Sequence, residues 1–176
     1  MIREIYLAGG CFWGIEHLMK ALPGVVDTTC GYANGTGEQD ADYRTVCTGR
    51  TGFRETVRVR FDSEITSVDA LLYALFHVIE PEAVNRQAHD VGTQYQAGVY
   101  WMPGDDEVEA DVHRVMAVER SRYAAFAVEE KPLENFFAAE EYHQDYLDKN
   151  PAGYCHVPRA TIAQLASEPF DEGYYR

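Results

Sequence analysis

The sequence predicts a two-layer α/β domain of the α+β kind, with strands alternating with helices and an irregular tail closing the chain. Three observations predict it. A short apolar run over residues 2–7 passes through Gly9-Gly10 into Ile15, Leu18, Met19 and Leu22, which recur at helical spacing. Strict period-two alternation over 55–61 marks a half-buried strand. A second helical stripe, Val68, Leu71, Leu72, Leu75, Phe76 and Ile79, follows at once.

In chain order, Ile2, Tyr6 and Leu7 form the first strand, and the helix after Cys11 runs until Pro23-Gly24 stops it. Residues 25–32 form a second strand with Val26, Thr28, Cys30 and Tyr32 on one face, and 33–38 form a loop. Over 55–61, Glu55, Val57, Val59 and Phe61 face inward, while Thr56, Arg58 and Arg60 face out. Thr66, Ser67 and Asp69 open the next helix in the manner of a capping box, with its stripe continuing towards Pro81. Residues 96–101 form a strand, 105–127 a long helix with Val108, Val112, Val115 and Tyr123 inward, and 127–129 a short strand. From Gly153 the chain is expected to wrap the surface without regular structure.

Composition narrows the function. At 46% hydrophobic, with no repeat and no linker, residues 1–176 are expected to form a single domain able to bury a core without disulfides or structural metal. Twenty-nine acidic against 15 basic residues, a net charge of −14, argue against nucleic acid and anionic lipid as partners. No apolar run reaches the roughly 20 residues of a membrane span, and no basic region followed by an apolar stretch marks an export signal. A cytoplasmic monomer is expected. Cysteines 11, 30, 47 and 155 form no Cys-x-x-Cys pair, and the six histidines form no metal-binding pair, so metal catalysis is not called for.

The chemistry concentrates at Gly9-Gly10-Cys11-Phe12-Trp13-Gly14. A thiol where a strand ends and a helix begins meets unpaired N–H groups and the positive end of the helix dipole, so a lowered pKa is expected. The alternative is a small buried apolar residue. Period-two alternation places Glu55 among inward apolar residues, and desolvation keeps such a carboxyl protonated near neutrality, able to donate a proton. The polar loop carrying Asp90 and Tyr95 leads into a strand edge, where binding residues often sit. Cys155 lies in a Gly/Pro-containing tail that could reach Cys11.

Six segments in register, Gly10-Cys11-Phe12-Trp13-Gly14, Gly31-Tyr32, Tyr43-Arg44-x-Val46-Cys47-x-Gly49, Thr51-Gly52-x-x-Glu55, Asp90-x-Gly92-Thr93-Gln94-Tyr95 and Asn150-Pro151-x-Gly153-Tyr154-Cys155, resemble the type A peptide methionine sulfoxide reductases. That resemblance implies a ferredoxin-like core with added elements and reduction of the S epimer of methionine sulfoxide, protein-bound or free. It implies Cys11 as nucleophile, Phe12 and Trp13 as the methyl pocket, Glu55 as acid, and Tyr43 and Tyr95 as donors to the sulfoxide oxygen. Asp90 and Tyr154 would support the substrate. From about residue 150 the tail would supply Cys155 to resolve a sulfenic acid as a disulfide, with thioredoxin as reductant and no metal or organic cofactor required. Phe53-Arg54 stands where members commonly have His-Ala, and Ala88-His89 where they have Gly-Asn. Two other readings of the same residues are a Cys-His acyl transferase or hydrolase, with His143 or His156 as base, and a thiol-regulated peptide-binding module.

Overall fold

A computed structural model describes residues 1–176. Its centre is a six-stranded sheet built from β1 (Ile2–Ala8), β2 (Val25–Ala33), β3 (Arg54–Asp62), β6 (Gly98–Trp101), β7 (Glu129–Pro132) and β8 (Phe136–Ala138), in the order β7-β6-β1-β3-β2-β8. The inner four strands, with α1 (Phe12–Ala21) joining β1 to β2 and α3 (Val68–Phe76) preceding β6, give the βαββαβ order 4-1-3-2 of a ferredoxin-like core. Their neighbours pair antiparallel, whereas β7 adds parallel to β6 and β8 adds antiparallel to β2.

One face of the sheet carries the main core. Leu7 lies opposite both Val57 and Val99, and Ile5 opposite Val59. These side chains pack with Ile15, Leu18 and Met19 of α1, Leu71 and Leu75 of α3, and Val112 and Val115 of α4 (Asp106–Arg120). Each full burial of this kind is worth about 1.5–3 kcal/mol relative to exposure. On the other face Tyr6, Ala8, Ala33 and Tyr100 form a smaller cluster under Leu133 and Phe136.

Several local expectations are corrected. The tail is not irregular: α6 (Arg159–Ser167) follows Pro158, and Ile162 and Val157 are buried in the main core. Val26 is exposed because a register shift between Val25 and Asp27 breaks the alternation, and Thr56 is buried on the face expected to be polar. The helix opened by Ser67, whose side chain accepts the Ala70 N–H, ends at Phe76 rather than running to Ile79. Asp69 does not complete a capping box; its carboxylate takes both guanidinium nitrogens of Arg114, at 2.7 and 2.8 Å. The long helix stops at Arg120, leaving Tyr123 half-buried beyond it, and the strand after it starts at Glu129. Short helices α2 (Tyr43–Val46) and α5 (Tyr146–Lys149) and strand β8 carry too few periodic positions to be legible in sequence.

Beside the sheet, β4 (Arg86–Gln87) and β5 (Asp90–Val91) form a hairpin whose two-residue loop is Ala88-His89. Ala88 has φ +51°, a left-handed conformation that costs a residue with a Cβ about 1–2 kcal/mol. Glycine removes that strain but gives back about 0.5–1 kcal/mol through the freedom of the unfolded chain. Ala88→Gly is therefore expected to raise stability by up to about 1 kcal/mol, a rise of roughly 2–4 °C in a thermal melt; an unchanged or lower melting temperature would contradict it.

Candidate active site

Cys11 takes the N-cap position of α1 and makes no regular side-chain capping bond, although the Trp13 and Gly14 N–H groups of the first turn act on its sulfur. The turn that delivers it needs Gly10, whose φ is +90° and where a Cβ would lie 2.7 Å from the Cβ of Gln87. Phe12 is buried in the core below, and Trp13, the next residue, is partly exposed.

Glu55 arrives from β3 on the core face, paired opposite Tyr32 and 2% exposed. Its Oε1 accepts the Phe12 N–H at 3.1 Å. Burial pushes the carboxyl up to about 8; the Phe12 N–H works against the rise and the nearby Asp90 adds to it. Glu55 is accordingly protonated at neutral pH, as its place in the alternation implies.

The Cys11 thiol departs from expectation. Burial raises it well above the ordinary cysteine range, and the Glu55 carboxylate raises it further. The N–H groups of Trp13 and Gly14 act in the expected direction but do not offset the loss of hydration. Burial therefore favours the thiol form of Cys11 over the thiolate at neutral pH.

Cys11, Phe12, Trp13, Tyr43, Glu55, Asp90, Tyr95 and Tyr154 together line one cavity of about 90 Å³. Burial raises the Tyr43 and Tyr95 hydroxyls, so both remain neutral donors. Tyr154 donates to Asp90 Oδ2 at 3.0 Å, and burial with that bond pushes its hydroxyl up to about 12. Cys155 does not line the cavity. It is partly buried, with its Sγ donating to the Val157 carbonyl at 3.1 Å, although its neighbours Tyr154 and His156 touch the site and the backbone beneath it. A larger groove of about 390 Å³ lies between α3 and the last residues of the chain, but it holds no cysteine or histidine. No group of three or more His, Cys, Asp or Glu side chains is placed to hold a metal ion, and no helix is long and apolar enough to cross a membrane.

Sequence reasoning missed the supports of the cavity. The Trp13 indole N–H donates to His143 Nδ1 at 3.0 Å, and its ring stacks on Tyr146 at 3.6 Å and 10°. His143 is therefore engaged as an acceptor and, like His156, lies outside the cavity lining. Glu140 accepts the Tyr32 hydroxyl at 2.8 Å and the Tyr43 N–H at 3.0 Å, which fixes the start of α2 and with it Tyr43. Arg54 points away from the cavity, donating to Glu129 at 2.8 Å and to the Thr93 carbonyl at 2.9 Å, and so ties β3 to the turn that bears Tyr95. The density of aromatic and polar residues over 136–146 is the only sequence signal for this layer.

The family model described as "Peptide methionine sulfoxide reductase" matches residues 3–172. The chain belongs to the peptide methionine sulfoxide reductase family. A relative from Clostridium acetobutylicum, named peptide methionine sulfoxide reductase MsrA, is 44% identical over 162 residues, 92% of this chain and 98% of its own. Among solved structures, the reduced form of Mxr1 from Saccharomyces cerevisiae is 33% identical with a TM-score of 0.81, covering 89% of this chain and 91% of that one. Methionine sulfoxide reductase A of Corynebacterium diphtheriae is 32% identical with a TM-score of 0.82, covering 90% and 84%. The ferredoxin-like core and its added elements are thus those of the reductase fold.

Proposed function

We propose that this chain reduces the S epimer of methionine sulfoxide, in peptides and free, to methionine, with Cys11 as nucleophile and Glu55 as general acid. The observation that carries the reading is the meeting of an unionised buried carboxyl, a cysteine and two tyrosine hydroxyls around one small cavity with aromatic walls. The sulfoxide methyl rests against Phe12 and Trp13, while its oxygen takes hydrogen bonds from Tyr43, Tyr95 and Glu55. The Cys11 sulfur attacks the sulfoxide sulfur while Glu55 protonates the sulfoxide oxygen and takes back the thiol proton, giving an S–S-bonded adduct; migration of its hydroxyl from the methionine sulfur to the Cys11 sulfur then breaks that S–S bond and releases methionine. Oxygen moves to Cys11, so that thiol and sulfoxide become sulfenic acid and thioether. The sulfoxide sulfur is reduced by two electrons and the cysteine sulfur oxidised by two.

Cys155 then displaces hydroxide from the Cys11 sulfenic acid, forming a disulfide and water, and a dithiol protein of the thioredoxin kind reduces that disulfide by exchange. Lining residues drawn from positions 11 to 154 meet around one cavity, which supports residues 1–176 as one catalytic domain; its working unit in this reading is the monomer. Four unpaired cysteines favour a reducing, cytoplasmic setting. The direct test supplies each epimer with a dithiol and measures methionine. Turnover of the S form with the R form nearly untouched is expected, and equal rates on both would defeat the proposed pocket.

Removing the second thiol separates the two stages. Cys155→Ser is expected to release about one methionine per chain when thioredoxin is the sole reductant, accumulating sulfenic acid on Cys11, while a small thiol restores part of the turnover. Normal turnover with thioredoxin would transfer the resolving role to Cys30 or Cys47, or remove the need for an internal disulfide.

A further inference from the structure

His156 follows Cys155 directly, and its imidazole is keyed into the backbone that carries Cys11. Its Nε2 lies 2.9 Å from the Gly9 carbonyl, which can only accept, so Nε2 bears the proton and Nδ1 is a bare nitrogen. That Nδ1 is buried without a partner, and burial holds the ring neutral by pushing its pKa below the ordinary histidine value. A Cβ on Gly10 would come within 3.3 Å of Nε2, and one on Gly14 within 3.0 Å of Nδ1. The two glycines flanking the Cys11 turn thus leave the notch that the ring fills. Val157, the next residue, is buried in the main core, and the same added Cβ on Gly14 would lie 3.3 Å from its Cγ2. Before them in the chain, Tyr154 is exposed and held by its single bond to Asp90, while Cys155 is only partly buried.

We infer that His156 is a positioning residue for disulfide formation, pegging the tail to the Gly9–Gly14 turn so that Cys155 stays within reach of an oxidised Cys11. The inference rests on Cys155 being the resolving thiol. The step it serves joins Cys11–SOH and Cys155–SH into a disulfide with loss of water, and its rate depends on the local concentration of one sulfur at the other. The sulfurs belong to residues 11 and 155, so sequence proximity contributes nothing; ordering the tail contributes everything. Placing the anchor on the residue after Cys155 leaves the thiol only its bond to the Val157 carbonyl to release before it turns towards Cys11.

The test follows two rates in single-turnover quench experiments with methionine-S-sulfoxide: release of the first methionine, and appearance of the Cys11–Cys155 disulfide by mass spectrometry. His156→Ala is expected to release methionine at the wild-type rate but to form the disulfide about tenfold more slowly. His156→Gln, whose amide N–H can reach the Gly9 carbonyl, should recover part of that loss. Gly14→Ala should slow the disulfide similarly by expelling the ring, and the double variant should be no slower than the slower single, since both remove one contact. Disulfide formation in His156→Ala within about twofold of wild type, in a protein whose Cys155→Ser variant cannot recycle, would overturn the peg and leave the resolving role intact. Equal slowing of both rates would overturn it too, by making the ring a general support of the Cys11 turn. Normal recycling by Cys155→Ser would instead remove the reading beneath it. Should the alanine variant not fold, Gly14→Ala retains every tail residue and decides by the same two rates.

Discussion

Cys11→Ser is expected to leave a folded protein that no longer turns over methionine sulfoxide, with a loss of at least about a thousandfold, the scale that accompanies removal of a covalent nucleophile. The fold should survive because a hydroxyl is smaller than the thiol it replaces and the N-cap position favours serine. The activity should not, because a hydroxyl in this cavity stays protonated and is a poor nucleophile towards sulfur. Loss of methionine formation with an unchanged circular dichroism spectrum checks both halves, and substantial multiple turnover would remove Cys11 from the mechanism.

Glu55→Gln should slow the chemical step by roughly ten- to ten-thousandfold, since it keeps size and a hydrogen-bond donor but has no proton to give. The pH profile sharpens the expectation. With the carboxyl pushed up to about 8, wild-type single-turnover rates should hold through neutrality and fall as pH rises past about 8, where the acid is spent. The Gln variant should lack that limb. The substitution should act on stability in the opposite sense to its effect on rate. The folded protein keeps this proton to about pH 8, while the unfolded chain releases it near 4.3, so between those values the native state binds more protons and stability declines as pH rises. Glu55→Gln, being uncharged throughout, should therefore gain stability over wild type towards pH 8 and above, a few kcal/mol at most in order of magnitude. Rates within about twofold of wild type, or a Gln variant less stable at alkaline pH, would make Glu55 a structural residue.

What was legible in the sequence was what repeats or what stays local. Period-two alternation over 55–61 placed Glu55 on the core face because nothing interrupts β3, whereas the same rule failed at Val26, where a register shift in β2 turns the side chain to solvent. The helix after Cys11 was legible from Ile15, Leu18 and Met19, but α6 was not, because Ile162 and Leu165 make too narrow a stripe and owe their burial to a surface distant in sequence. The eight lining residues were named through motif order, and their meeting depends on β1, β3, the β4–β5 hairpin and the tail all ending at one place. The raised Cys11 pKa was beyond a local argument. The helix start is visible in sequence, but the desolvation that overrides it comes from everything packed above. His143 escaped because a lone histidine among aromatics looks the same in sequence whether it packs or supports an indole.

The unionised pair at the heart of the cavity has a consequence for survival under oxidant. Peroxide attacks thiolates rapidly and thiols slowly, so a repair enzyme with a standing thiolate would be consumed by the very conditions that create its substrate. With Cys11 kept as a thiol by burial, the proposed mechanism leaves the sulfur slow towards small oxidants until a sulfoxide enters and its oxygen draws on the acid. In the proposed mechanism damage from oxidant is thereby decoupled from readiness to repair it: a sulfoxide protonated by Glu55, rather than a permanently charged sulfur, would set when the cysteine reacts.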